Sequence, residues 1–197
     1  MPLRILVRHA ESTYNVEGRI NGDPAIPVPL SARGRTEAAA LAVHISHVRI
    51  GLCLHTRFPR TIETAQLALG DHAGEVPFLC EPLLDDINAG DLEGESRDAY
   101  AAWIISYGRD SPFPGGESLD GAAARFANGM RSLADRPEEV VLVVCHELPV
   151  RYALNAASGS LDLEAPQHQI ANAAAYLFEP STLHEAAGGI ERSLHID

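Results

Sequence analysis

The chain has 197 residues, 46% of them hydrophobic and 21% charged, with a formal net charge of −12. Such a length and composition fit a globular chain, expected to be one domain over residues 1–197, and the acidity excludes a general nucleic-acid binder and requires a locally positive pocket for any anionic ligand. Three widely spaced cysteines, Cys53, Cys80 and Cys145, form neither a CxxC nor a disulfide framework, which favours a reducing, cytoplasmic setting. The apolar run at 3–7 is too short for a signal peptide, and nothing approaches the ~18 apolar residues of a membrane span.

Leu3, Ile5, Leu6 and Val7 form a short apolar, partly β-branched run, as in a strand buried on both faces. The run stops at Arg8-His9, which puts a cation and an imidazole at a carboxyl strand end, where open α/β sheets bind ligands. The polar stretch 10–15 reads as a loop leading to a helix. Pro24, Pro27 and Pro29 impose an extended loop. Gly22 reads equally well as a turn glycine or as a ligand contact. Ser31 fits the N-cap of a helix continuing to about Val48. A second strand at 50–54 runs into a basic turn and a helix over 61–69. Helix starts favour anions, and an arginine there adds a bidentate grip on phosphate, so Arg57 and Arg60 are both candidates.

A third strand is expected at 76–80. The acidic, glycine-punctuated loop over 83–94 supplies carboxylic acids able to protonate a leaving oxygen. Residues 96–107 form a helix whose Tyr100, Trp103, Ile104 and Tyr107 read as core or lid packing. Ser118 caps a helix over 119–134 with an apolar stripe. Residues 140–145, VVLVVC, form the clearest strand, central in a sheet and ending at His146. A helix over 149–157 and a last strand within 171–178 follow. The polar tail from Glu179 carries no assignment, and His184 and His195 read as exposed. His44, His47 and His55 lack metal-site spacing and a carboxylate partner, so neither metal nor cofactor is expected.

Collected at strand ends and adjacent loops are Arg8, His9, Arg60 and His146, with an acid from the 85–93 loop. Two imidazoles, two guanidiniums and an acid suit phosphoryl transfer. Cations neutralise the phosphoryl group, one imidazole attacks phosphorus, and the acid protonates the leaving alcohol.

Six ordered segments carry a family resemblance: LVRHAESTYN (6–15), PLSARG (29–34), RTIETA (60–65), DINAGDLEG (86–94), PGGES (114–118) and VVCH (143–146). Over about residues 3 to 155 they resemble the histidine phosphatase superfamily, the group that includes cofactor-dependent phosphoglycerate mutases. The resemblance implies a three-layer α/β/α sandwich with a mostly parallel central sheet. It implies a phosphohistidine on His9, a phosphate pocket of Arg8, Arg60 and His146, and Asp86 as general acid, and it selects Arg60 over Arg57. Asn15, Asn21 and Gly22 would contact phosphate or substrate. Ala10 replaces a usual glycine, and Glu147 stands where a small residue is common, beside the pocket, where a carboxylate either weakens anion binding or reads a substrate hydroxyl or amine. The mutases resembled here carry a long basic insertion before PGGES. This chain has only residues 95–113 there, with Arg97 and Arg109, which favours water as acceptor. The expected function is metal-independent hydrolysis of a small phosphorylated metabolite. A mutase is the alternative and a non-catalytic phospho-ligand module the less favoured one. No nucleic-acid or membrane partner is expected. Oligomeric state is open, with a homodimer among the options.

Overall fold

The computed structural model describes residues 2–165 and 169–194. A five-stranded sheet runs in the order β3-β2-β4-β1-β5, formed by β1 (Leu3–Arg8), β2 (Leu52–His55), β3 (Phe78–Cys80), β4 (Val140–Cys145) and β5 (Ala175–Phe178). All pairings are parallel except β1 with β5. Alternation along the strands divides the core. Leu6, Leu52, Leu54, Val141, Val143 and Cys145 pack on one face with α5 (Leu119–Ala134), α6 (Glu147–Ala157) and α7 (Pro180–Ser193). Ile5, Val7, Cys53, Leu142 and Val144 pack on the other with α2 (Ala32–Ile45) and α3 (Pro59–Leu69). The result is the expected three-layer sandwich. Its central β1 and β4 are buried on both faces, which is why they read as apolar runs, broken inside β1 only by Arg4.

The chain leaves β1 for β2 through α2 on one face and leaves β4 for β5 through α6 on the other. The carboxyl ends of β1 and β4 therefore flank the point where the winding reverses, the place where open α/β sheets hold ligands. Two further helices sit at that edge: α1 (Thr13–Glu17), closed by a Ser12–Asn15 capping box, and α4 (Arg97–Tyr107), capped by Ser96.

Several boundaries move for local reasons. α3 starts at Pro59 rather than at 61, because proline at the first helical position forgoes only an orphan N–H. α6 starts at Glu147 rather than at 149, with His146 as its N-cap. The tail from Glu179, left without assignment, forms α7, whose Leu183, Ala186, Ala187, Gly189 and Ile190 are buried against α5 and α6. Small residues there permit close helix approach and leave little hydrophobic signal. His184 is half-exposed and paired with Asp135, and His195 lies outside the described residues. Arg4, inside β1, is 1% exposed. It donates to the carbonyls of Leu133 (2.7 Å), Arg136 (2.6 Å) and Glu138 (3.0 Å), closing the end of α5. No helix among the described residues is long and apolar enough to cross a membrane.

Candidate active site

The two strand ends are tied by a backbone bond from His9 N–H to the Cys145 carbonyl, 2.9 Å. That brings His9 and His146 to 5.5 Å between ring centroids. His9 Nδ1 lies 2.7 Å from the Ala10 carbonyl. A carbonyl only accepts, so Nδ1 carries the proton and Nε2 holds the lone pair. Arg60, from the first turn of α3, donates from Nε to that lone pair at 3.0 Å.

Arg60 is 3% exposed and joins the whole constellation. Its terminal nitrogens donate to the side chain and carbonyl of Asn21, to Asp86 Oδ2 at 3.0 Å and to His146 Nδ1 at 3.1 Å. A guanidinium only donates, so His146 Nδ1 accepts, and its Nε2–H donates to Thr56 Oγ1 at 2.8 Å. The Thr56 hydroxyl can then donate onward to Thr61 Oγ1 at 2.9 Å, and Thr61 donates to the Phe58 carbonyl at 2.8 Å. This chain fixes one tautomer of His146.

Both imidazoles are held well below the ordinary histidine value, first by burial and then by the Arg60 charge, so both are neutral. The Asp86 carboxyl is pushed the other way, above the usual carboxylate value, because burial outweighs the attraction of Arg60. Asp86 Oδ2 also faces the His146 Nδ1 lone pair at 3.4 Å. An ionised carboxylate disfavours that contact, whereas a carboxylic acid tolerates it.

The loop carrying Asp86 is positioned by close backbone packing. A Cβ on Gly22 would stand 2.1 Å from the Ile87 carbonyl oxygen, so Gly22 is glycine because the 21–23 turn presses on the acid loop. Gly90 has φ +53°, and a Cβ there would stand 2.1 Å from the Pro114 carbonyl oxygen. Glu93 accepts from Asn21 Nδ2 (2.8 Å) and from the backbone N–H of Gly22 (2.6 Å) and Asp23 (2.9 Å). Arg125 of α5 donates to the carbonyls of Leu83 (3.0 Å), Asp85 (2.8 Å) and Asp86 (3.3 Å). Nothing in the local pattern around Arg125 announces this.

A cavity of about 600 Å³ opens over these groups. Arg8, His9, Asn15, Asn21, Gly22, Arg60, Asp86 and Glu147 all line it. His146 does not: it is fully buried beside Arg60, with both ring nitrogens engaged. Arg57 also stands apart, its side chain 58% exposed and paired with Asp85. Arg8 donates to the Ile170 carbonyl at 2.7 Å and meets Glu147 Oε2 at 3.0 Å. Its buried Nε–H has no partner among the described residues. Asn15 spends its Oδ1 and backbone N–H on the capping box, leaving its amide nitrogen for the cavity. Sequence reading missed Arg151 and Glu164, which also line the cavity. Among the described residues no cluster of His, Cys, Asp and Glu is arranged to hold a metal.

The profile of the histidine phosphatase superfamily (branch 1) matches residues 4–186. Over 179 residues the chain is 36% identical to the human protein 6-phosphofructo-2-kinase/fructose-2,6-bisphosphatase 4, covering 84% of this chain and 36% of that one. Over 136 residues it is 30% identical to fructose-2,6-bisphosphatase TIGAR B of Danio rerio, covering 66% of this chain and 52% of that one. The chain thus spans between about a third and a half of the length of these relatives. Among solved structures it superposes on the alpha-ribazole phosphatase of Shigella flexneri with a TM-score of 0.76 and 25% identity, over 89% of each chain. By its profile, its relatives and the geometry at the ends of β1 and β4, the chain belongs to the histidine phosphatase superfamily.

Proposed function

We propose that the protein is a phosphomonoesterase that hydrolyses a small phosphorylated metabolite through a phosphohistidine on His9. The observation carrying this reading is the state of His9. Its ring is neutral and is oriented by the Ala10 carbonyl, with Nε2 facing Arg60 at the floor of a cationic cavity.

The phosphoryl group enters between Arg8 and Arg60, displacing Arg60 Nε from the lone pair. The two guanidiniums then hold the non-bridging oxygens where charge develops. Nε2 forms a bond to phosphorus as the ester P–O bond breaks, and Asp86 gives its proton to the departing alkoxide. His146 acts as a positioning residue, holding Arg60 through Nδ1. Asp86, now a carboxylate, takes a proton from water as the water oxygen attacks phosphorus. The P–N bond breaks, and inorganic phosphate leaves with His9 neutral again. Positive charge for the whole cycle comes from side chains, so turnover is expected to persist in excess chelator. The short 95–113 segment, mostly α4, leaves water the available acceptor.

The test is hydrolysis of phenyl phosphate in excess EDTA, with alkaline quenching to preserve a base-stable phosphoimidazole. Labelled phosphate on wild-type protein and none on His9→Ala is the expected result. A fully active His9→Ala variant, or activity abolished by the chelator, would overturn the reading.

A further inference from the structure

The cavity extends well past the phosphate-handling groups, and its far end is built differently. One wall is the inner side of α4, with Tyr100, Ala101 and Ile104, faced by Leu119 and Leu148. Tyr100 is stacked on Phe113 at 5.1 Å, and its buried hydroxyl has no partner among the described residues. The opposite wall holds two arginines, and both are already neutralised. Arg151 pairs with Glu147 and lies 3.6 Å from Glu164. Arg109 pairs with Asp120 at 3.1 Å and Glu164 at 3.0 Å, and also donates to the Tyr152 hydroxyl at 3.3 Å. Glu147 stands at the junction, one oxygen on Arg151 and the other 3.0 Å from Arg8. Arg97, which has no carboxylate partner among the described residues, also lines the cavity.

We infer that this far end is a leaving-group subsite for an uncharged, largely apolar alcohol, and that Glu147 is the specificity residue that turns away leaving groups carrying a second anion. The inference rests on the phosphomonoesterase reading above. An apolar ring lies against Tyr100, Ile104, Leu119 and Leu148. A carboxylate or second phosphate in the same place meets the Glu147 charge and finds Arg109 and Arg151 occupied. Like charges about 5 Å apart at an effective dielectric of about 20 imply discrimination of roughly a few hundredfold, and the Arg8 and Arg151 pairings of Glu147, with solvent screening in an open cleft, lower this to roughly tenfold.

The experiment compares para-carbamoylphenyl phosphate with para-carboxyphenyl phosphate, two esters alike in ring and size that differ in leaving-group charge. In wild-type protein kcat/KM is expected to favour the carbamoyl ester by tenfold or more, and in Glu147→Gln that ratio shrinks severalfold. Ile104→Ser is expected to raise KM for the carbamoyl ester more than for glycerol phosphate. Equal kcat/KM for the two aryl esters in wild-type protein overturns the subsite while leaving the phosphatase reading intact. A Glu147→Gln ratio equal to wild type overturns the role of Glu147. Turnover of no ester at all overturns the phosphatase reading and this inference with it.

Discussion

Asp86→Asn isolates the proposed proton donor. The carboxyl accepts from Ile87 N–H at 3.1 Å and from Arg60 at 3.0 Å, and asparagine preserves its shape while removing the transferable proton. The rise in its pKa, from burial against a weaker pull by Arg60, is what keeps that proton available above the ordinary carboxylate range. General acid catalysis is worth about 10²–10⁴-fold, or roughly 3–5 kcal/mol of barrier, and the full loss applies only where the leaving oxygen needs a proton. An alkyl ester should therefore lose about 10²–10⁴ in kcat. A para-nitrophenyl ester, whose leaving group departs as a stable anion, should be phosphorylated on His9 almost as fast as in wild type. The same variant lacks the base for water attack, so stopped-flow mixing with the nitrophenyl ester should give a burst of about one nitrophenolate per enzyme, then slow turnover. KM should not rise, because a carboxyl that is negative whenever ionised leaves the phosphate pocket. Equal losses on both esters with no burst would refute the assignment and reduce Asp86 to an Arg60-positioning residue.

Two further outcomes follow from buried groups. His9 and His146 are both depressed in the folded state, so the unfolded chain binds protons first as pH falls. Their contribution to stability is fully present above about 6.5 and declines below it with a slope approaching roughly 2.7 kcal/mol per pH unit until the folded values are reached. Asp86, raised in the folded state, acts in the opposite sense, its contribution present below the ordinary carboxylate value and lost as pH rises through its folded one. Denaturant melts at pH 5.5 and 7.5 should show the histidine loss, and His9→Gln with His146→Gln should flatten it; an unchanged slope in the double variant would contradict neutral burial. Arg4→Ala should destabilise the fold by about 3 kcal/mol or more, since three carbonyls lose their donor. This is read as a lower denaturant midpoint at constant m-value, and a midpoint shift below about 1 kcal/mol would show that water replaces the guanidinium.

The site was legible in outline because its groups sit where apolar runs end. Val7-Arg8-His9 and Val144-Cys145-His146 each break from buried strand to polar chemistry within one residue, and that break survives in the string of letters. The serine caps at 31, 96 and 118 likewise mark helix starts through local hydrogen bonds alone. Arg57 and Arg60 show the limit. Both flank one helix start, and burial of one beside His9 with solvent exposure of the other depends on how α3 lies across the sheet, which local pattern does not encode. Helix α7 escaped notice because alanine and glycine bury area through close approach rather than through bulk.

The string of letters carries the inventory and its order: two imidazoles, their arginines and an acid, each beside an element end, and a central sheet of largely apolar strands. Which of these groups touch is set by the folded arrangement. Arg60 reaches His9, Asn21, Asp86 and His146 across separations of 51, 39, 26 and 86 residues, and His146 lies beside Arg60 rather than on the cavity surface. The state of Glu147, bound between Arg8 and Arg151, was decided there too. Protonation, charge neutralisation and burial are set by neighbours in space, and those neighbours are fixed only when the sheet order brings β1 beside β4.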